Sequence, residues 1–170
     1  MLDPGIFRQV VEATAAGIII TDPKQQDNPI IYVNEGFIRM TGYAAEDAIG
    51  NNCRMMQRDD RQQPALARIR NAIKHGQHCH VTIRNYRKDG SMFWNELTVS
   101  PIRNPEGTIT HFVGVQFNVT DSRMAEESLR KEQQILVYAN KILLENQKTI
   151  QNLEREVNKW RKEAGESEIY

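Results

Sequence analysis

Five apolar residues, Leu129, Leu136, Leu143, Ile150 and Val157, recur at a spacing of seven without a miss. No proline lies beyond residue 121 and the only glycine there is Gly165, so nothing interrupts a helix across that run. A strict seven-residue period drifts around a straight α-helix. A chain that keeps it holds its stripe in contact by supercoiling about a partner. The positions three further on are Glu132, Ala139, Asn146, Leu153 and Trp160, so one seam is wholly apolar and the other only in part. Asn146 in that second seam would fix the register at some cost in stability. The plainer alternative is a long amphipathic helix packing on its own domain. The strict period favours a coiled coil, and with it a parallel homodimer. Ile135, Val137, Tyr138, Ile142 and Leu144 widen the stripe near its start, where the helix is expected also to touch the domain. The helix is expected over 122–163, with a flexible tail over 164–170.

All other prolines and glycines precede residue 121. Charge follows the same division: 13 basic and 12 acidic residues in 1–120, against 9 and 10 in the last fifty. That is the composition of a globular domain followed by a helix. Over the whole chain 22 basic and 22 acidic residues cancel, which argues against a surface made for nucleic acid or for an anionic membrane. The longest apolar stretch, Ala13 to Ile20, is broken at Thr14 and too short to cross a bilayer. The first residues lack a secretory signal, and Cys53 and Cys79 are too few for a disulfide scaffold. A cytoplasmic protein with reduced thiols is expected, with no membrane or nucleic-acid partner.

Within the domain, Asp3 and Pro4 read as the start of a short cap helix over 1–15, with Ile6, Phe7, Val10 and Val11 on one face. Gly17 to Thr21 and Ile30 to Val33 read as strands. Asn34 caps a helix that stops at Gly42, and a short helix runs from Ala44 to Gly50. Residues 51–61 are polar and irregular. Leu66, Ile69, Ala72 and Ile73 mark a further helix closed by His75-Gly76. Cys79 to Tyr86, Met92 to Val99 and Thr108 to Val119 are strands joined by the turns Lys88-Asp89-Gly90 and Asn104-Pro105-Glu106-Gly107. The expectation is an α+β domain on an antiparallel sheet, occupying 16–121. Trp94 and Trp160 are expected to be packing residues.

The segment Gly50-Asn51-Asn52-Cys53-Arg54-Met55-Met56-Gln57 is dense in functional side chains. It resembles the LOV (light-oxygen-voltage) family, the flavin-binding blue-light sensors of the PAS superfamily. The family motif there reads G-R-N-C-R-F-L-Q. This chain keeps the Gly, Asn, Cys, Arg and Gln, and has Asn51, Met55 and Met56 in place of Arg, Phe and Leu. Asn85, Asn95 in Phe93-Trp94-Asn95, Gln116 in Gly114-Val115-Gln116, and the closing Asn118-Val119-Thr120-Asp121 match at the family's spacing. The resemblance runs over about 6–121 without a gap, and implies a PAS fold with a five-stranded antiparallel sheet and a helical flank.

It also implies a flavin, and the residue types suit one. A flavin's polar edge carries both acceptors and a donor, so its partners must offer both, as Asn and Gln amides do. Asn52, Gln57, Asn85 and Asn95 fit, and Thr21 is placed with them. A single Asn is more simply a cap or turn residue. Asn95, in a strand between Trp94 and Leu97, is hardest to explain that way. Arg54 and Arg70 match the family's phosphate arginines, with Arg58 and Arg61 as weaker additions. The short linker from Cys53 to the Leu66 helix leaves no room for the adenine half of FAD, so FMN is expected.

By the same resemblance Cys53 forms the reversible light-driven bond to the flavin. A thiol of ordinary pKa near 8.5 is mostly protonated at neutral pH and supplies both sulfur and proton. Gln116 is the expected relay at flavin N5, since an amide can turn to offer either donor or acceptor. Met55 and Met56 beside the cysteine are expected to alter dark recovery. His75, His78 and His80 invite a metal reading, but no fourth ligand is evident and no metal is expected. No acid–base pair or nucleophile–base set stands out, so a sensor is expected rather than an enzyme. The rivals are a light-insensitive PAS ligand-binding or dimerisation module and a flavin redox sensor. The downstream effector is not legible.

Overall fold

A computed structural model describes residues 3–163. The strands β3 (Cys79–Tyr86) and β4 (Met92–Arg103) bury every second side chain over most of their length. One face is therefore fixed against the interior, and with it the register. Together with β1 (Gly17–Thr21), β2 (Ile30–Val33) and β5 (Ile109–Asn118) they form one sheet in the order β2-β1-β5-β4-β3, each neighbouring pair antiparallel. The last strand is thus the central one.

The helices α1 (Pro4–Ala13), α2 (Glu35–Thr41), α3 (Ala45–Ala48) and α4 (Pro64–His75) accompany this sheet. Asp3 caps α1, with Pro4 following it. Asn34 does more than cap α2. Its Oδ1 accepts from Ile18 N at 2.7 Å and Phe37 N at 2.9 Å, and its Nδ2 donates to Val11 O and Ala16 O. One fully buried amide thereby ties α1, β1 and α2 together with every polar atom satisfied. Gly36 sits where a Cβ would run into the Ala16 carbonyl, which is why α2 can approach the end of β1 so closely. Two apolar clusters result. Leu66 and Ala72 of α4 pack with Val81, Ile83, Leu97, Val99 and Phe112 of the sheet. Ile19, Ile30, Val33, Phe37, Ala48 and Met56 form the other.

Several boundaries differ from the sequence expectation for physical reasons. β4 runs on to Arg103 past Pro101. Its pairing with β3 ends at Val99, so from there it is an edge on that side and the missing Pro N–H costs nothing. Residues 53–57, expected to be irregular, form a 3-10 turn (Cys53–Gln57) whose start is fixed by Asn52 Oδ1 accepting from Arg54 N at 3.0 Å. The last helix, α5 (Thr120–Glu163), begins two residues early because Asn118 Oδ1 accepts from both Thr120 N and Thr120 Oγ1.

Trp94 lies half-buried with the guanidinium of Arg123 4.3 Å above its ring and that of Arg84 at 5.7 Å. Trp160 is 78% exposed, against the expectation that it packs. The apolar face of α1 is likewise open at Ile6, Phe7 and Val10. From Met124 onward α5 forms a unit of its own, and none of its described residues is buried. The expected tail, 164–170, lies outside the described residues. Among those described, no helix is long and apolar enough to cross a membrane.

Candidate functional site

A cavity of about 470 Å³ draws its walls from both apolar clusters. All nine sequence candidates, Thr21, Asn52, Cys53, Arg54, Gln57, Arg70, Asn85, Asn95 and Gln116, line it. Sheet register explains how residues so far apart meet. Asn85 pairs across β3 and β4 with Phe93, and Gln116 pairs across β4 and β5 with Leu97. Each is therefore the diagonal neighbour of Asn95 on one face of three adjacent strands. The three amides are buried, none more than 1% exposed. Asn95 Nδ2 donates to Asn85 Oδ1 at 2.8 Å and to Gln116 Oε1 at 2.7 Å. Gly114 keeps this wall open, since a Cβ there would stand 2.9 Å from Ile19 Cγ1.

Asn85 is satisfied at both ends, since its Nδ2 donates to Arg84 O at 3.1 Å, whereas Asn95 and Gln116 each keep one end free. Asn95 Oδ1 and Gln116 Nε2 are buried with no partner among the described residues, as are Thr21 Oγ1 and Asn28 Oδ1. All four residues line the cavity. A buried polar atom without a partner costs roughly 1–3 kcal/mol. Four such atoms lining one cavity mark a site built for a polar ligand. The amide end offers one acceptor and one donor side by side, and the remaining wall is largely apolar, with Ile19, Leu66, Ile69, Ile83, Leu97 and Phe112.

Cys53 opens the 3-10 turn and faces the cavity. The cavity leaves part of the residue reachable, but the thiol's surroundings are protein. Burial pushes it up to about 12, outweighing a backbone hydrogen bond and the charge of Arg54, which pull the other way. The thiol therefore keeps its proton throughout the neutral range.

The other end of the cavity is charged. Arg54 Nη1 lies 2.7 Å from Asp27 Oδ2, both side chains about half-exposed. Arg70 and Lys74, one turn apart on α4, line the same cavity. Asn52 serves two ends at once: its Oδ1 starts the 3-10 turn and its Nδ2 donates to Asp27 O. Arg58 and Arg61 do not join this cluster. Arg58 donates to Arg87 O and Lys88 O, holding the β3–β4 turn, and Arg61 Nε donates to Arg58 O. His78 and His80 are engaged by Ser100 Oγ and Thr98 Oγ1, and His75 by Asn71 O. Among the described residues no group of three or more metal-ligating side chains converges.

The sequence reading passed over Asp27, Asn28 and Lys74, which also line the cavity. Lys74 had a signal, its place four residues beyond Arg70 on one helix face. Gln63 was missed as well. It is buried, its Oε1 accepts from Arg84 N at 2.7 Å and its Nε2 donates to Arg84 O, so it pins the segment before α4 to β3.

Comparison with known proteins agrees with this architecture. The PAS domain family matches residues 15–121. A "Blue-light photoreceptor" of Listeria monocytogenes is 44% identical over 126 residues, covering 74% of this chain and 49% of that protein. The chain thus spans about half the length of that curated relative. Among solved structures, one described as an RNA-binding light-oxygen-voltage receptor superposes with a TM-score of 0.72 at 35% identity, over 81% of this chain and 38% of that one. Another, described by the words "Flavin Analogue Sheds Light on Light-Oxygen-Voltage Domain Mechanism", gives a TM-score of 0.65 at 35% identity, over 78% of this chain and 96% of that one. With its sheet order, its amide-lined cavity and these matches, the chain belongs to the PAS domain family and, within it, to the light-oxygen-voltage domains.

Proposed function

We propose that this chain is a blue-light sensor that binds FMN in the cavity and signals through Cys53, Gln116 and α5. The observation that carries the reading is the pair of buried, unpartnered atoms Asn95 Oδ1 and Gln116 Nε2 in the cavity that Cys53 also lines. An acceptor and a donor side by side suit the mixed polar edge of a flavin ring, and the apolar walls suit its faces. Arg54, Arg70 and Lys74 suit a terminal phosphate. Asn52, Gln57, Asn85 and Thr21 complete the binding set.

Bound there, a flavin supplies absorption of blue light and a ring carbon with which the Cys53 sulfur can bond reversibly. The protein's part is to hold and release. Cys53 keeps its proton on Sγ at neutral pH, so the dark thiol is inert and carries the proton the reaction needs. Gln116 has two amide orientations. Turning it exchanges Oε1 for Nε2 and breaks the 2.7 Å bond from Asn95. Gln116 lies two residues before the end of β5, and α5 begins at Thr120, so the change is felt at the start of the helix. The seam from Leu129 to Val157 then carries it into a parallel homodimer in which Asn146 fixes register. The work is binding and relay, without turnover, and the effector lies downstream.

The test is the visible absorption of the purified protein before and after a blue flash, followed in darkness. A structured flavin band that bleaches and returns is expected. Cys53→Ala should keep the band and lose the bleach. A band that never bleaches would reject the role of Cys53 and favour a flavin redox sensor. No band after reconstitution with FMN would leave a light-insensitive PAS module.

A further inference from the structure

We infer that the turn Asp27–Asn28 reads the flexible arm of the ligand: Asn28 accepts a hydrogen bond from a hydroxyl on that arm, and Asp27 opposes a negative charge at its end by holding Arg54. This rests on the flavin reading above and adds two residues to it. Both adopt left-handed backbone conformations, with φ of 69° and 49°. Few side chains tolerate that region, Asn and Asp best among them. Two such residues in succession are held in place by Asn28 N donating to Gln25 O at 3.2 Å and Asn52 Nδ2 donating to Asp27 O. The outcome is that both line the cavity.

Asn28 Oδ1 is buried there without a donor. The mixed ring edge is matched by Asn95 and Gln116, and ring faces against apolar walls have no donor to give. A polyol arm has hydroxyls, which donate. At the mouth, Asp27 Oδ2 holds Arg54 Nη1 at 2.7 Å. A terminal anion must draw Arg54 off this carboxylate or lie beside it. Either way Asp27 lowers the preference for a phosphate-bearing ligand over a phosphate-free one, while Arg70 and Lys74, which line the same cavity, raise it.

Three flavins separate the parts: lumiflavin has the ring alone, riboflavin adds the polyol, and FMN adds the phosphate. Their dissociation constants are to be measured on the flavin-free chain by fluorescence quenching, in wild type, Asn28→Gly, Asn28→Asp and Asp27→Asn. Each substitute tolerates the left-handed backbone. Asn28→Gly should weaken riboflavin and FMN alike by about fivefold and leave lumiflavin unchanged. Asn28→Asp keeps the acceptor and should retain riboflavin binding. Asp27→Asn should tighten FMN by about two- to fivefold without moving riboflavin. If Asn28→Gly weakens lumiflavin as much as riboflavin, or Asn28→Asp loses riboflavin, the turn only shapes the cavity and the role of Asn28 is overturned. If the FMN-to-riboflavin preference stays flat or falls in Asp27→Asn, the carboxylate does not oppose the phosphate and its role is overturned. Failure of all three flavins to bind wild type would overturn the flavin reading together with this one.

Discussion

In the sheet domain the apolar pattern is consumed inside the chain. Alternate residues of β3 and β4 are buried, and Leu66, Val81, Ile83 and Phe112 pack against one another. Along α5 an equally regular pattern buries nothing: Leu129, Leu136, Leu143, Ile150 and Val157 are each half-exposed or more. What each region lacks has a different size. The four unpartnered buried side-chain atoms among the described residues belong to residues that line one cavity, a deficit of the size a small molecule fills. The helix presents a stripe about 42 Å long from Leu129 to Val157, at roughly 1.5 Å per residue, the length that the proposed partner helix would cover. The first is an unmet need for hydrogen bonds; the second is an unmet need for burial, which the proposed homodimer would answer.

The contrast is broken most sharply by charging the seam. Leu136→Asp with Leu143→Asp places carboxylates where burial is required, and the double variant should be wholly monomeric at micromolar concentration by sedimentation, with FMN binding intact. A variant that stays dimeric would move the interface elsewhere, to a surface such as the open face of α1. The next effect joins the two regions. Gln116→Leu removes an unpartnered donor and also the acceptor of an Asn95 bond. Bleaching should persist while the light-driven change between spin labels on α5 disappears. An unchanged helix response would sink the relay. A smaller effect lies beside the cysteine. Met56 is buried and lines the cavity, whereas Met55 packs in the cluster behind it. Met56→Leu should therefore change the dark recovery rate more than Met55→Phe does, as timed by the return of the flavin band.

The parts of this molecule that announce themselves in sequence are those set by period or by a fixed local need. The heptads, the turns at Gly90 and Gly107 and the cap at Asn34 belong to that class. So do the amides, because Asn95 in the middle of a strand has no local use. What stayed hidden depends on contacts remote in sequence. Arg58 reads like Arg54, yet a turn nearly thirty residues away claims its guanidinium. Asn28 and Asp27 read as ordinary turn residues before Pro29, and only their backbone conformation reveals that they face the cavity. Trp160 stands at a seam position, and in a single chain nothing covers it. The length of β4 past Pro101 depended on where β3 stops pairing.

The least change is expected from pH, and the sign can be worked out. Burial raises the Cys53 thiol from its ordinary value to about 12 in the folded chain. Below about pH 8 the thiol is largely protonated both folded and unfolded, so it contributes little pH dependence there. Above it, the unfolded thiol releases its proton while the folded one retains it. Stability then falls with rising pH, by at most roughly 1.4 kcal/mol per unit, until the folded thiol itself ionises. The extent of bleaching should accordingly be flat between about pH 6 and pH 9, with no inflection from Cys53. The thermal midpoint should begin to fall only above about pH 8, and Cys53→Ala should remove part of the fall. An inflection in bleaching near neutral pH that is tied to the thiol would mean Cys53 sits in a far wetter or more cationic setting than this cavity provides. The distinction between a ligand-sized deficit in the cavity and an open, helix-sized one would then fail at the cavity's own thiol.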